Sequence, residues 1–255
     1  MSLVIQIQSL YIKKMIEVAH LSKNYGSLRA VDDLTFNVKQ GEVLGFLGPN
    51  GAGKSTTMKM ITGFVPPSSG KIHIDGIDIE QEPVQVKKMV GYLPEGAPNY
   101  GEMTPLQFLD FIADIRQLDN SYKKERIEYV VERLRLDSVL YQQIDTLSKG
   151  FKRRVGLAQA IIHDPEILIM DEPTDGLDPN QKHEVRLLLN EISAGKIIII
   201  STHILEEVEA VCSRAIIIAN GKLLLDETPA EMQARSENKK LDAVFREVTK
   251  GHERE

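Results

Sequence analysis

The sequence predicts an α/β fold, a parallel-sheet core interrupted by a helical insertion. Three observations carry that prediction. The isoleucine-rich runs at 196–200 and 215–219 have the length and near-continuous apolarity of strands buried on both faces. An apolar strand, Val43–Leu47, leads into a glycine-rich stretch at 48–53 and then into the helix-forming Lys54–Ile61. From about Gly96 to His163 the text turns helical, and parallel-strand signals then resume at 167–170 and recur to Leu225.

The remaining elements follow in chain order. Residues 1–14 read as a leader or disordered extension, or equally as a short extra strand; they lack the basic n-region and small-residue cleavage site of a signal peptide. After Met15, Ile16-Glu17-Val18 alternates like a half-buried strand. A strand from Ala30 turns at Gln40-Gly41, and residues 71–79 hold two short strands around a turn at Asp75-Gly76. In the insertion, Thr104 is placed to cap a helix that starts at Pro105 and repeats Leu106, Leu109 and Ile112 at helical spacing. A short helix near 241–248 closes the chain. The expected organisation is therefore an extension at 1–14, a main domain at 15–235 with its helical insertion at about 96–163, and a terminal helix and tail at 236–255.

Composition narrows the functional classes. With 255 residues, 42% of them hydrophobic, the chain has enough apolar mass for a sizeable core. A net charge of -6 argues against nucleic-acid binding through a broad basic face. The lone Cys212 excludes an internal disulfide, fits a reducing compartment and reads as a small core residue. No apolar run approaches the ~18–20 residues of a membrane-spanning helix, so work at a membrane needs another chain to hold this one there.

The chemistry concentrates in two places. Gly48-Pro49-Asn50-Gly51-Ala52-Gly53-Lys54-Ser55 fits a phosphate-binding loop. Its glycines let several N–H groups turn towards phosphate oxygens, and the N-terminus of the following helix adds its dipole. Lys54 is placed to reach the β/γ-phosphates and Ser55 to ligate Mg²⁺, with Thr56 next in the same helix turn. The second place is the apolar run 167–170 ending in Asp171-Glu172, two carboxylates at the C-terminal end of a strand, where ligands sit in open α/β sheets. Asp171 suits a Mg²⁺ contact and Glu172 a general base towards water; two acids capping a strand end is the plainer reading of the pair alone.

Taken together these residues resemble the ATP-binding cassette (ABC) family, over roughly Met15 to Glu231. The discriminating piece is Leu147-Ser148-Lys149-Gly150-Phe151, similar to the family's signature segment and followed by Lys152-Arg153-Arg154-Val155-Gly156-Leu157-Ala158. The resemblance implies a P-loop NTPase core with a parallel sheet, an antiparallel β subdomain and an inserted helical subdomain. It implies ATP and Mg²⁺ as ligands, with Ser148 and Gly150 facing the γ-phosphate held by a second ATP-binding subunit. Tyr25, which lies 29 residues before Lys54, matches a ring stacked on adenine, or is a half-buried tyrosine at a strand end. His203 matches the family's γ-phosphate histidine, and Asp178 its interface loop; Asp178 equally suits capping of the helix beginning at Pro179. The other histidines (His20, His73, His163, His183 and His252) show no metal-ligand spacing.

Two departures point to one branch of the family. Glu95, in Gly91-Tyr92-Leu93-Pro94-Glu95, stands where glutamine is usual; it remains a candidate for catalysis and for Mg²⁺. Lys149 and Phe151 replace glycine and glutamine in the signature segment. Both resemble subunits that drive drug, sodium, polysaccharide and gliding-motility exporters, as does the tail at 240–249, although an amphipathic terminal helix is a common core cover. The resemblance thus implies an ATPase subunit on the cytoplasmic face of a membrane. Its partners would be a separate transmembrane permease and a second cassette, a homodimer foremost, with no nucleic acid. The alternative is a soluble cassette ATPase acting as a scaffold, as in iron–sulfur cluster assembly.

Overall fold

The computed structural model describes residues 15–96, 100–236 and 240–251. The leader reading of residues 1–14 and His252 lie outside these described residues. Two sheets make the frame. In the first, β1 (Met15–Tyr25), β2 (Leu28–Lys39), β4 (Ser69–Ile74) and β5 (Ile77–Asp78) run antiparallel in the order β2-β1-β4-β5. Its strands alternate as a sheet with one covered face must: Leu34, Phe36 and Val38 are buried and their neighbours Thr35 and Asn37 are exposed. The second sheet has the order β10-β9-β3-β8-β7-β6. It contains β3 (Val43–Leu47), β6 (Val90–Leu93), β7 (Ile167–Asp171), β8 (Ile197–Thr202), β9 (Arg214–Ala219) and β10 (Lys222–Glu227).

The central strands β3, β8 and β7 are buried along their whole length. Apolar burial, at ~1.5–3 kcal/mol per large side chain, therefore outweighs the ~1 kcal/mol net of each ladder hydrogen bond in holding this sheet. One side is filled by the antiparallel sheet, where Phe36 of β2 meets Phe46 of β3 with ring centroids 5.4 Å apart. The other is filled by helices of the insertion and by α6, through Phe108, Val155 and Leu188.

The helices are α1 (Lys54–Ile61), α2 (Pro83–Met89), α3 (Pro105–Ile115), α4 (Asn120–Arg133), α5 (Lys149–Ile161), α6 (Pro179–Ile192), α7 (Leu205–Val211), α8 (Pro229–Ala234) and α9 (Leu241–Thr249). Thr104 does cap α3, in a reciprocal capping box: Gln107 N–H donates to Thr104 Oγ1 at 3.3 Å and Thr104 N–H to Gln107 Oε1 at 3.0 Å. Amphipathic α9 lays Leu241 and Val244 on Leu47, Ile217 and Leu225. Cys212 is packed beside Gly45 and Val208, and burial pushes its thiol up to about 12.

The structure corrects two strand expectations and adds a strand. β10 is antiparallel to β9, not a continuation of the parallel series. The two are joined at Asn220-Gly221 (φ 50° and 77°), the asparagine–glycine pair that a two-residue type I′ hairpin demands. β8 starts at Ile197 and runs through Ser201 and Thr202, beyond the apolar run. β6, only 4 residues long, had no periodic signal of its own, yet it pairs with β7 and carries the turn holding Glu95.

Close packing behind β6 yields a test. A methyl group on Gly91 would stand 2.0 Å from the Ala160 carbonyl oxygen and 2.7 Å from Pro165 Cγ. Gly91→Ala must push β6 off α5, and overpacking of this kind costs about 1–3 kcal/mol. For a chain of this size the melting temperature should fall by roughly 2–4 °C per kcal/mol; an unchanged thermal melt would contradict the packing described.

Candidate functional site

Four parallel strands deliver the candidate residues to one edge. Leu47 of β3 is in register with Thr202 of β8, Asp171 of β7 with Ser201, and Leu93 of β6 with Met170. The residues that follow are Gly48, His203, Glu172 and the Pro94-Glu95 turn. This is the C-terminal edge of the sheet, the place where an open α/β fold leaves a crevice.

The loop after β3 wraps the start of α1. Gly53, at φ 105°, precedes α1, and a side chain there would lie 2.6 Å from the Ala30 carbonyl oxygen, which no Cβ tolerates. The buried Lys54 turns back over the loop, its Nζ donating to the Gly48 carbonyl at 2.7 Å and the Pro49 carbonyl at 3.1 Å. Burial lowers its pKa, and Glu172, Asp171 and Glu95 oppose that shift. A pocket of about 380 Å³ gathers Asn50, Gly51, Ala52, Gly53, Lys54, Ser55 and Thr56 with Tyr25, Glu95 and Glu172. Tyr25, 47% exposed, closes its outer side with Lys23 Nζ 5.3 Å from the ring centroid. Ser55 Oγ lies 3.5 Å from Glu95 Oε2.

Asp171 is fully buried; its Oδ1 accepts from Ser201 Oγ, while Oδ2 has no hydrogen-bond partner. An orphaned buried carboxylate oxygen costs about 1–3 kcal/mol, so it marks a position reserved for a donor or a cation. With Ser55 Oγ and Glu95 it offers the hard oxygen ligands that suit Mg²⁺, which takes one or two carboxylates and leaves its remaining positions to water or phosphate. Glu172 sits at φ 53°, a left-handed backbone of the kind that costs a non-glycine residue ~1–3 kcal/mol and gathers at functional sites. Its N–H donates to the Ser201 carbonyl at 3.0 Å, and its carboxylate oxygens lie 2.7 and 2.9 Å from His203 Nδ1.

Ser148, Gly150 and Asp178 do not line this pocket. They form a second patch: Ser148 Oγ caps α5 by accepting from Phe151 N–H at 3.3 Å, and Asp178 Oδ1 caps α6 through the N–H groups of Asn180 (2.9 Å) and Gln181 (3.0 Å). A Cβ on Gly150 would stand 2.8 Å from Gln181 Oε1, so glycine lets α5 lie close against the start of α6. Lys149 Nζ is 2.7 Å from Asp175 Oδ2, and this contact holds the Asp175 carboxyl below its usual range.

Two residues escaped sequence reasoning. Glu207, buried on α7, accepts from Thr174 Oγ1 and, at 2.8 Å, from Thr202 Oγ1. It thereby ties the segment after Glu172 to the residue before His203. In the sequence it looks like one of two acids favouring the start of a helix. Arg153, also buried, donates to the carbonyls of Pro94 (2.8 Å), Gly96 (3.3 Å), Asp171 and Glu172 (2.6 Å). In the sequence it is the middle one of three consecutive basic residues, Lys152-Arg153-Arg154, with nothing to set it apart.

Comparison with known proteins adds the family. Residues 31–175 match the family described as ABC transporter. The chain is 37% identical over 225 residues to the probable multidrug ABC transporter ATP-binding protein YbhF of Escherichia coli, covering 88% of this chain and 39% of that protein. The chain thus spans well under half of YbhF. It is 38% identical over 230 residues to the bacitracin transport ATP-binding protein BcrA of Bacillus licheniformis, covering 89% and 74%. A solved ATP-binding subunit of an ABC transporter superposes with a TM-score of 0.85 at 33% identity, covering 92% of this chain and all of that one. The chain belongs to the ABC transporter family and has the fold of an ATP-binding subunit of such a transporter.

Proposed function

We propose that the chain binds MgATP and hydrolyses it to drive a membrane exporter, by clamping onto a second cassette while docked to a separate transmembrane permease on the cytoplasmic face. The observation that carries this reading is the division of the candidate residues into two surfaces. Lys54, Ser55, Glu95 and Glu172 share one pocket, whereas Ser148, Gly150 and Asp178 sit on another patch with helix N-termini exposed to a partner. A site split in this way is completed only when a second copy supplies the patch. The name of YbhF speaks of a multidrug ABC transporter and that of BcrA of bacitracin transport, which supports an exporter.

The residues divide the work as follows. Backbone N–H groups of 50–55 and Lys54 hold the phosphates, and Tyr25 stacks on the base. Ser55, Asp171 and Glu95 would hold a divalent cation, which would supply neutralisation of the charge that develops in phosphoryl transfer. Glu172 orients and polarises the attacking water, and His203, against the same carboxylate, fixes that side chain and reaches towards the γ-phosphate. Phosphoryl transfer needs positioning and charge neutralisation above all, so closing the two surfaces is enough to gate it.

The permease has a fitting surface. A groove of about 650 Å³ runs between the sheet and the insertion, with Phe64, Val84, Tyr92, Ile115 and Arg116 along it. Phe64 and Val84 are 72% and 67% exposed, an apolar display that a lone cassette has no use for. Among the described residues no helix is long and apolar enough to cross a membrane.

Glu172→Gln should lower ATP turnover by about 10²–10⁴-fold, the usual contribution of a positioned base, and should trap an ATP-bound dimer visible by light scattering. Turnover at the parental rate would remove Glu172 from its role. Tyr25→Ala should raise KM for ATP with kcat unchanged, because stacking of ~1–3 kcal/mol acts equally on ground and transition states; a fall in kcat alone would refute stacking. Purification from detergent-solubilised native membranes should recover a stoichiometric polytopic partner. Recovery with a soluble partner alone would move a scaffold ATPase ahead of the exporter.

A further inference from the structure

Arg153 is 6% exposed and its two terminal nitrogens serve four backbone carbonyls, none of them in its own helix. Two of those carbonyls, Pro94 and Gly96, flank Glu95 on either side. The other two belong to Asp171 and Glu172, the carboxylate pair at the end of β7. The Glu172 carbonyl also accepts from Asp175 N–H at 3.1 Å, in the segment that pairs with Lys149. Arg153 follows Lys149 by one helical turn, so it rides on the helix whose N-terminus is the signature segment.

A planar guanidinium offers donors at fixed angles, and here it spans two separate loops, at 94–96 and 171–172. Any shift of α5 moves the carbonyls of both loops together. The left-handed backbone at Glu172 aims its carbonyl at this guanidinium, so the strained conformation and the charge-assisted bond depend on each other.

We infer that Arg153 is a positioning residue of the hydrolytic site: it transmits the setting of the signature-bearing helix to Glu172 and Glu95 of the same chain. The inference rests on the proposed function, in which that helix engages the nucleotide of a second subunit. Engagement in one half of the dimer then sets the attack geometry in the other. Arg153 touches no substrate in this scheme; it acts through the backbone of the residues that do.

The test uses the purified full chain with Arg153→Met and Arg153→Lys, and reads MgATP affinity, kcat and ATP-dependent dimerisation in the Glu172→Gln background. Misplacement by an ångström or so costs about a hundredfold in rate. Arg153→Met should therefore lose roughly that factor in kcat, with MgATP affinity within about threefold of the parent, the signature of an effect confined to the transition state. Arg153→Lys should also lose at least ~10-fold, because one ammonium cannot span both loops. A merely structural role would instead lower affinity and melting temperature together. Parental kcat in either folded variant, or a fall in kcat matched by the fall in affinity, would overturn the inference. If Arg153→Met does not fold, Arg153→Lys decides on the same criteria. Failure of Glu172→Gln alone to dimerise with ATP would sink the proposed function and the transmission between subunits, and a kcat-only loss in Arg153→Lys would then still establish positioning within the chain.

Discussion

The register of the parallel sheet is the constraint on which the site depends, and apolar burial alone does not set it. β8 and β7 carry isoleucine and leucine on both faces, all buried. A slip by one residue would exchange one buried isoleucine for another at little cost, unlike a strand with one wet face. The register must therefore be pinned at the strand ends, where polar groups have single partners. Ser201 Oγ donates to Asp171 Oδ1 and Glu172 N–H donates to the Ser201 carbonyl at 3.0 Å, which locks β7 to β8 at the edge that bears the chemistry. At the other edge Ile198 N–H donates to the Glu42 carbonyl at 3.0 Å and ties β8 to β3. The bonds that fix the fold's register are thus largely the bonds that shape its site.

Placing four strand ends together also concentrates charge. Lys54 and Arg153 face Asp171, Glu172 and Glu95, and burial opposes the charged form of both cations while the three carboxylates favour it. In low dielectric an unpaired charge costs several kcal/mol, so each group is tolerable only while the others stay in place. That interdependence ties the groups of the crevice to one another, and the buried Asp171 Oδ2 is the oxygen there that lacks a hydrogen-bond partner. Glu207 does the same service one layer out, where the Thr174 and Thr202 hydroxyls satisfy both of its oxygens.

Much of this was legible in the sequence, and what was not has physical reasons. The strand, loop and helix at 43–61 announce themselves because glycine and an apolar run are local signals; the bounds Val43–Leu47 and Lys54–Ile61 reappear unchanged in the structure. The Thr104 cap was readable for the same reason. β6 was not, since a 4-residue strand offers two side chains per face and no periodicity. The direction of β10 was announced by Asn220-Gly221, a turn signal overlooked in favour of continuing parallel strands. Arg153 and Glu207 stayed hidden because their partners lie 18 or more residues away, except Thr202, and most are backbone carbonyls that sequence cannot display.

Adjacent arginines on α5 show how the insertion is joined to the core. Successive helical residues point about 100° apart, and Arg153 and Arg154 use that angle to face different bodies. Arg153 binds the sheet-edge carbonyls, while Arg154 Nη1 donates to the Leu134 carbonyl at 3.0 Å, capping the end of α4 in the insertion. Lys149–Asp175 and Arg135–Glu184 are weaker links, solvent-exposed pairs each worth roughly 0–1 kcal/mol. The buried bonds of α5 to two sets of carbonyls add to the apolar packing of the insertion on the sheet and to Arg116, which donates to the Lys87 and Val90 carbonyls at 2.7 and 3.3 Å. The helix α5, capped by Ser148 and carrying Gly150, also lines the groove proposed for docking through Gln159, so that groove and the crevice share one helix.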